Sequence, residues 1–343
     1  MQFLRQNNSM PSAVFYEAFE EEEKILVKVL PKKIKYLFTW KTIQESGHKA
    51  PPAKVISTRT QSKFPVEWAD KLDAIITRST GYDHVADYLN RTGARISAAY
   101  LPEYAARPVA EQALMMWTAL LRNLTAQRKS FATFHRNGLT GREIRNRRIT
   151  VIGVGRIGGE IVDMAHGLKM RVLGVDIKPR PEMKKQYGLK YVSLKEGLKN
   201  ADIAVCALPL TEITRGMLDY ETLKLMPGNS IFINVGRGEV SPSLDLLKLL
   251  NEGIFGGIGL DVYDFEKELA SVLRDGKKLS KLNSEARKSV TAVLKLMKSQ
   301  NVILTPHNAF NTEESVERKS LRTAENIAAY FKTGKFLTPV RPS

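Results

Sequence analysis

Short apolar runs alternate with stretches of helical spacing along the chain. In the first hundred residues the runs fall at 13–16, 36–38, 55–57, 74–77 and 95–98, the rhythm of a small parallel α/β sheet. Between the first two, residues 20–30 place acids ahead of Lys24 and Lys28, as a helix dipole prefers, and Pro31 stops the helix. A longer helix is predicted over 108–128, with Pro108 in its first turn and an apolar stripe of Ala113, Leu114, Trp117, Leu120 and Leu121. Regular strands then follow at 149–153, 171–175, 203–207, 231–235, 257–261 and 302–305. Strands alternating with helices predict a doubly wound sheet. The stretch 313–331, with Val316, Ile327 and Phe331 apolar, reads as a last helix returning to the first domain.

Residues 267–300 separate two strands by more than a short connection requires and are rich in lysine. Their second half has helical spacing in Ala286, Val290, Val293, Leu294 and Met297. The segment reads as a partner or nucleic-acid surface or, the preferred reading, as a solvated helical excursion over the sheet edge.

A chain of 343 residues suits two domains, and 43% hydrophobic with 26% charged residues is the makeup of a globular protein. No run approaches the ~18 apolar residues of a membrane span, and the first residues lack a signal-peptide core, so a cytoplasmic protein is expected. The one cysteine, Cys206, excludes an intramolecular disulfide or a cysteine metal cluster and is expected to pack in the core. A net charge of +17 suits a nucleic-acid partner or a solvated surface that draws in anionic ligands. Dispersal of the basic residues, with no nucleic-acid-binding motif among them, favours the second.

The strand from Ile149 runs directly into Gly153-Val-Gly155-Arg156-Ile157-Gly158 and then a helix. In such a turn the first glycine permits the sharp bend and the second lets a pyrophosphate approach the backbone. The third lets helix pack on strand, and the helix N-terminus faces the negative charge. The next strand ends at Asp176, where a carboxylate suits both ribose hydroxyls and repels a 2′-phosphate. NAD is therefore expected over NADP, although Lys178 and Arg180 follow closely enough to tolerate the extra phosphate.

Ligands of an open parallel sheet bind beyond the carboxyl ends of its strands. Arg237 lies two residues past Val235, Glu266 five past Asp261, and His307 two past Thr305. An arginine clamps a carboxylate with two bonds, a histidine passes a proton near neutral pH, and a carboxylate orients that histidine. The set suits hydride transfer to or from a 2-hydroxy acid. His48, His84, His135 and His166 receive no role.

These motifs, with Leu208-Pro209-Leu-Thr211 followed by Thr214, Asn234-Val235-Gly-Arg237-Gly, Gly259-Leu-Asp261-Val and Thr305-Pro-His307, resemble the D-2-hydroxyacid dehydrogenase family over about residues 74–331. The resemblance implies two doubly wound parallel-sheet domains: a Rossmann-type NAD-binding domain, 108–311, and a smaller flavodoxin-like substrate domain, 1–107 completed by 312–343. It implies Arg237 as substrate anchor, His307 as acid and base, Glu266 as its partner, and NAD contacts from Arg156, Ile157, Leu208, Pro209, Thr214, Asn234, Val235 and Asp261. A homodimer joined through the coenzyme domain is implied as well. Arg78-Ser-Thr80-Gly81-Tyr-Asp-His-Val, Pro102-Glu-Tyr104 and Phe310 further resemble the D-lactate dehydrogenases of that family. That likeness implies amides at Thr80 and Gly81 for the substrate carboxylate, with Tyr104 and Phe310 at the pocket. Gln112 and Ala207 stand where the family pattern commonly has histidine. Open alternatives are a relative acting on glyoxylate, hydroxypyruvate, a larger 2-oxo acid or phosphite, and an NAD-sensing corepressor-like protein.

Overall fold

The computed structural model describes residues 10–340, so residues 1–9, part of the basis for expecting no leader, lie outside the described residues. Contacts divide the chain into two units. One holds the residues up to Tyr104 together with those from Asn311 onward, and the other spans Ala105–Phe310.

The first unit runs β1 (Ala13–Phe15), α1 (Glu20–Val29), β2 (Tyr36–Phe38), α2 (Ile43–Ser46), β3 (Val55–Thr58), β4 (Ala74–Thr77), α3 (Asp83–Thr92) and β5 (Ser97–Ala99). The strands form a parallel sheet in the order β2-β1-β3-β4-β5. Every residue of β1, β3 and β4 is buried, which is why these segments read as unbroken apolar runs. Val14, Ile56 and Ile75 pack with Trp68 and Tyr88 in one core. The fifth strand lies later than the run at 95–98 because pairing from Ala74↔Ser97 to Ile76↔Ala99 sets its limits.

The second unit continues with α4 (Ala106–Leu121), α5 (Leu124–Ser130), β6 (Arg148–Ile152), α6 (Arg156–Gly167), β7 (Arg171–Val175), α7 (Pro181–Tyr187), β8 (Lys190–Tyr191), α8 (Leu194–Lys199) and β9 (Ile203–Cys206). It closes with α9 (Tyr220–Leu223), β10 (Ser230–Asn234), α10 (Ser243–Asn251), β11 (Phe255–Leu260), α11 (Glu266–Leu273), α12 (Ser284–Leu296) and β12 (Val302–Leu304). Its seven strands are parallel in the order β12-β11-β10-β9-β6-β7-β8. Register aligns Leu304, Leu260, Asn234, Cys206, Ile152 and Val175 across the sheet, so the loops that follow them share one carboxyl edge.

Two expectations are corrected here. The single helix over 108–128 is two, because Asn123 takes a left-handed φ of 52° and the Arg142 amide claims the Leu121 carbonyl. Asparagine tolerates that backbone better than most residues. The segment 267–300 is no mere solvated excursion: Ala286, Val290 and Val293 of α12 enter the core with Leu246 and Leu249 of α10. Only Met297 of its predicted stripe is exposed, while Leu294 is partly buried. Cys206 lies buried in β9, and burial pushes its thiol up to about 12.

The last helix, α13 (Glu313–Thr333), belongs to the first unit and packs against α1. Val316 and Ile327 face its core, whereas Phe331 is 39% exposed. Past Gly334 the chain meets the β5 edge, where the Tyr100 amide donates to Thr338 and the Val340 amide to Ala98. Among the described residues no helix is long and apolar enough to cross a membrane.

Candidate active site

The turn after β6 is built by exclusion of side chains. Gly153 has φ +91°, and a Cβ on Gly158 would lie 1.9 Å from the Gly153 carbonyl oxygen, so α6 can seat against β6 only with glycine there. Nothing lies within 4 Å of a Cβ built on Gly155, the residue capping α6 without a side-chain bond. Open space therefore faces a bare helix N-terminus, with Arg156 exposed and Ile157 half-buried in its first turn. Asp176 accepts from the Val154 amide (2.7 Å, Oδ2) and the Lys178 amide (2.8 Å, Oδ1), which fixes the carboxylate while each oxygen keeps a lone pair. Arg180 donates to the Gly155 carbonyl (3.0 Å) and pairs with Glu182, an anchoring of the turn that sequence reasoning missed. Ile177 and Ile213, 91% and 80% exposed, are the other unforeseen feature, large apolar side chains left in solvent beside Asp176 and on the loop after β9. These groups fit a dinucleotide: an anion cradle, a fixed carboxylate and apolar surface for a ring.

Glycine also brings the neighbouring loops edge to edge. A Cβ on Gly236 would sit 2.5 Å from the Leu208 carbonyl oxygen, and one on Gly238 would sit 1.9 Å from the Tyr263 carbonyl carbon. Arg237 thus stands on a turn wedged between the loops after β9 and β11. Asn234 shapes that turn, donating to the Arg237 carbonyl (3.0 Å) and Ser241 Oγ (2.7 Å) and accepting from the Gly236 amide (2.9 Å). Val235 is buried beside it. Thr214 Oγ1 donates to the Pro209 carbonyl (2.7 Å) and accepts from the Thr211 amide, which closes the Leu208–Pro209 loop on itself.

His307 and Glu266 meet. Nδ1 of His307 lies 2.9 Å from both carboxylate oxygens of Glu266, and each side chain is 24% exposed. Both sit next to or on left-handed backbone: Phe265 (φ 54°) leads into Glu266 at the first position of α11, and His307 itself has φ 52°. For bulky residues such φ values carry strain, held here by surrounding bonds. Asp261, only 2% exposed, supplies them, accepting from Thr305 Oγ1 (2.6 Å), the Asn308 amide (2.8 Å) and the Ala309 amide (3.0 Å). Burial pushes its carboxyl up against the pull of Thr305, His307 and those amides. Tyr263 joins the Leu260 and Thr305 carbonyls, and Gln112 donates to Thr305 Oγ1 (3.3 Å). Phe310, buried, follows this loop.

In the first unit, Thr80 is exposed just past β4, with Oγ1 donating to Leu101 (3.0 Å). Ser79 Oγ bonds Thr77 Oγ1 (2.6 Å) and the Gly81 carbonyl (2.7 Å), and its own carbonyl accepts from the Leu101 amide. Tyr104 is buried, its carbonyl bound by Arg318 and Ser315.

A glycine turn feeding a helix at the carboxyl edge of a doubly wound sheet, beside an imidazole–carboxylate pair, defines a dinucleotide-dependent oxidoreductase. A family model described as the NAD-binding domain of D-isomer specific 2-hydroxyacid dehydrogenases matches residues 114–309. The chain belongs to that family, and NAD is its cofactor. It is 30% identical over 279 residues to a glyoxylate reductase of Pyrococcus furiosus, covering 78% of this chain and 75% of that protein. It is also 30% identical over 257 residues to a D-lactate dehydrogenase of Treponema pallidum, covering 73% and 72%. The crystal structure of the Aquifex aeolicus D-lactate dehydrogenase complexed with NAD and lactic acid has a TM-score of 0.82, at 28% identity, over 96% of this chain and 100% of that one.

Proposed function

We propose that the protein is a D-lactate dehydrogenase that interconverts pyruvate and D-lactate. The observation that carries the reading is the His307–Glu266 pair, held on strained backbone beside the loop of Arg237. Bound NADH supplies the hydride. Glu266 holds Nδ1–H of His307, so Nε2 is the atom that gives a proton to the substrate carbonyl oxygen in reduction and takes it back in oxidation. The planar guanidinium of Arg237 grips the carboxylate and polarises the carbonyl. Amides of Thr80 and Gly81 receive the carboxylate, and Tyr104 and Phe310 are further substrate-binding residues. Asp176 accepts from the ribose hydroxyls and repels a 2′-phosphate, Ile177 and Ile213 flank the adenine, and Arg156, Ile157, Leu208, Pro209, Thr214, Asn234 and Val235 line the rest of the cofactor path, whereas Asp261, expected on that path, serves by holding the loop of His307.

Two copies pair through the second unit, where Leu124 is exposed on α5 and Phe131 and Phe134, in edge contact with each other, are exposed after it. Sedimentation of the wild type against a Phe131→Ser, Phe134→Ser variant tests that pairing.

The Aquifex likeness over nearly the whole chain supports lactate, whereas relatives named glyoxylate reductase favour a second reading, reduction of glyoxylate. Incubation with pyruvate and NADH, followed by chiral chromatography, should yield D-lactate. No turnover of pyruvate, or L-lactate as product, would overturn the proposal.

A further inference from the structure

Chain order disperses the basic residues, but the fold of the second unit gathers six of them in one place. The turn leading into β6 holds Arg142, Arg145, Arg147 and Arg148 with one acid, Glu143. The turn leading into β7 lies beside it. The Asn146 amide donates to the Lys169 carbonyl (3.0 Å), the Arg171 amide donates to the Arg147 carbonyl (2.8 Å), and Arg148 pairs in register with Arg171. Asn146 and Lys169 take left-handed φ values of 65° and 59°, so two sharp turns are bonded to each other and hold their cations side by side.

Little of this charge is answered. Arg148 meets Asp202 at 3.5 Å, a carboxylate that also accepts from the Arg148 amide. Arg142 and Arg147 donate to the carbonyls of Asn229 (2.7 Å) and Glu143 (3.0 Å), which carry no net charge, and most of their guanidinium donors stay unused. Burial, and then the charge of Arg147, lower the Arg142 pKa against the pull of Asp202, so these guanidiniums feel one another. Arg145, Lys169 and Arg171 are exposed and, among the described residues, form no ion pair; neither does Glu143.

The cluster stands at the amino ends of β6 and β7, whereas the glycine turn and Asp176 follow their carboxyl ends, a strand length of ~16 Å away. It therefore belongs to neither the dinucleotide turn nor the catalytic pair. Its composition narrows the partner. Five of the six cations are arginines, whose planar fork fits a phosphate with two bonds. Residues 140–148 and 169–171 expose no large hydrophobic side chain, so the surface lacks both the apolar centre of a protein interface and the apolar face by which a basic helix enters a membrane. A chain of phosphates requires neither.

We propose that the amino edge of the second unit, at Arg142, Arg145, Arg147, Arg148, Lys169 and Arg171, binds nucleic acid through its phosphate backbone, without reading its sequence.

The test is fluorescence anisotropy of the full chain with a labelled RNA of about 20 nucleotides and a DNA duplex of the same length. Binding to at least one should weaken with salt along a log–log slope of about −3 or steeper, as five cations without an acid would give, and strands of unlike sequence should bind within about twofold of each other. The triple variant Arg145→Gln, Lys169→Gln, Arg171→Gln should bind about tenfold or more weakly and flatten the slope by about 2, with NADH affinity within about twofold of wild type. Lys277→Gln, Lys278→Gln, Lys281→Gln removes the same charge from exposed residues elsewhere on the unit and should change affinity by less than about threefold. Equal losses in the two variants would reduce binding to net charge and overturn the proposal, as would binding to neither nucleic acid or to phosphatidylserine vesicles alone. One readout needs no substitution: ultraviolet crosslinking of the wild type to thiouridine-bearing RNA should label peptides within 140–171, and crosslinks confined to 277–298 would overturn the assignment.

Discussion

Replacing Asp261 with asparagine asks whether this carboxylate serves the cofactor or the histidine loop. Its oxygens accept three bonds: Thr305 Oγ1 and the Asn308 amide on Oδ1, and the Ala309 amide on Oδ2. Asparagine can keep one oxygen on the Thr305 side, but its amide then points two N–H groups at the Ala309 N–H. Turning the amide over opposes two donors instead of one. A charge-assisted bond is lost and a buried donor is left unmet, together about 2–4 kcal/mol. Because Asp261 spans the turn from Thr305 to Ala309, the cost is paid by releasing His307 from its left-handed backbone. A displacement of ~1 Å at a catalytic group lowers turnover about 100-fold. Urea denaturation should therefore show the stability loss, steady-state pyruvate reduction the fall in kcat, and NADH fluorescence titration a Kd within about twofold of wild type. A Kd raised tenfold or more, with stability and kcat preserved, would refute the reasoning and make Asp261 a cofactor ligand instead.

Gly158→Ala places a Cβ 1.9 Å from the Gly153 carbonyl oxygen, a clash only backbone movement relieves; fluorescence titration should show NADH affinity reduced at least ~100-fold, and near-normal binding would mean the turn is not the pyrophosphate site. Arg237→Lys loses the planar two-bond grip, so KM for pyruvate should rise and kcat fall with NADH affinity unchanged, and unaltered pyruvate kinetics would remove Arg237 from the site. Lys319 has a folded pKa lowered to about 7, so between there and its ordinary value near 10.5 the unfolded chain holds a proton that the folded chain lacks. Stability should rise with pH across that window by up to about 1.4 kcal/mol per unit, and chemical denaturation at several pH values should find this slope missing in Lys319→Met.

Most strands, the glycine turn, Asp176 and the three catalytic candidates were legible because each is a local pattern: an apolar run, a fixed glycine spacing, or a charged residue just past a strand end. What escaped is non-local. The strand Lys190–Tyr191 is two residues long and exists through pairing with β7. The break at Asn123 depends on the Leu121 carbonyl finding the Arg142 amide, and the burial of α12 depends on the apolar face of α10. Gly236 and Gly238 carry no signal until the loops they touch are known. Asp261 reads as a cofactor-side residue by its place after β11, yet both of its oxygens are engaged by residues more than forty positions away. Nothing in the spacing of Glu22, Arg78 and Lys319 shows that one carboxylate gathers two buried cations.

The central claim is that the site works on pyruvate. Its most direct test is kcat/KM with saturating NADH for pyruvate, glyoxylate and hydroxypyruvate, measured side by side by the loss of NADH absorbance. Pyruvate should give the highest value. A value for glyoxylate or hydroxypyruvate about tenfold or more above that for pyruvate, a difference of ~1.4 kcal/mol in transition-state binding, would contradict it.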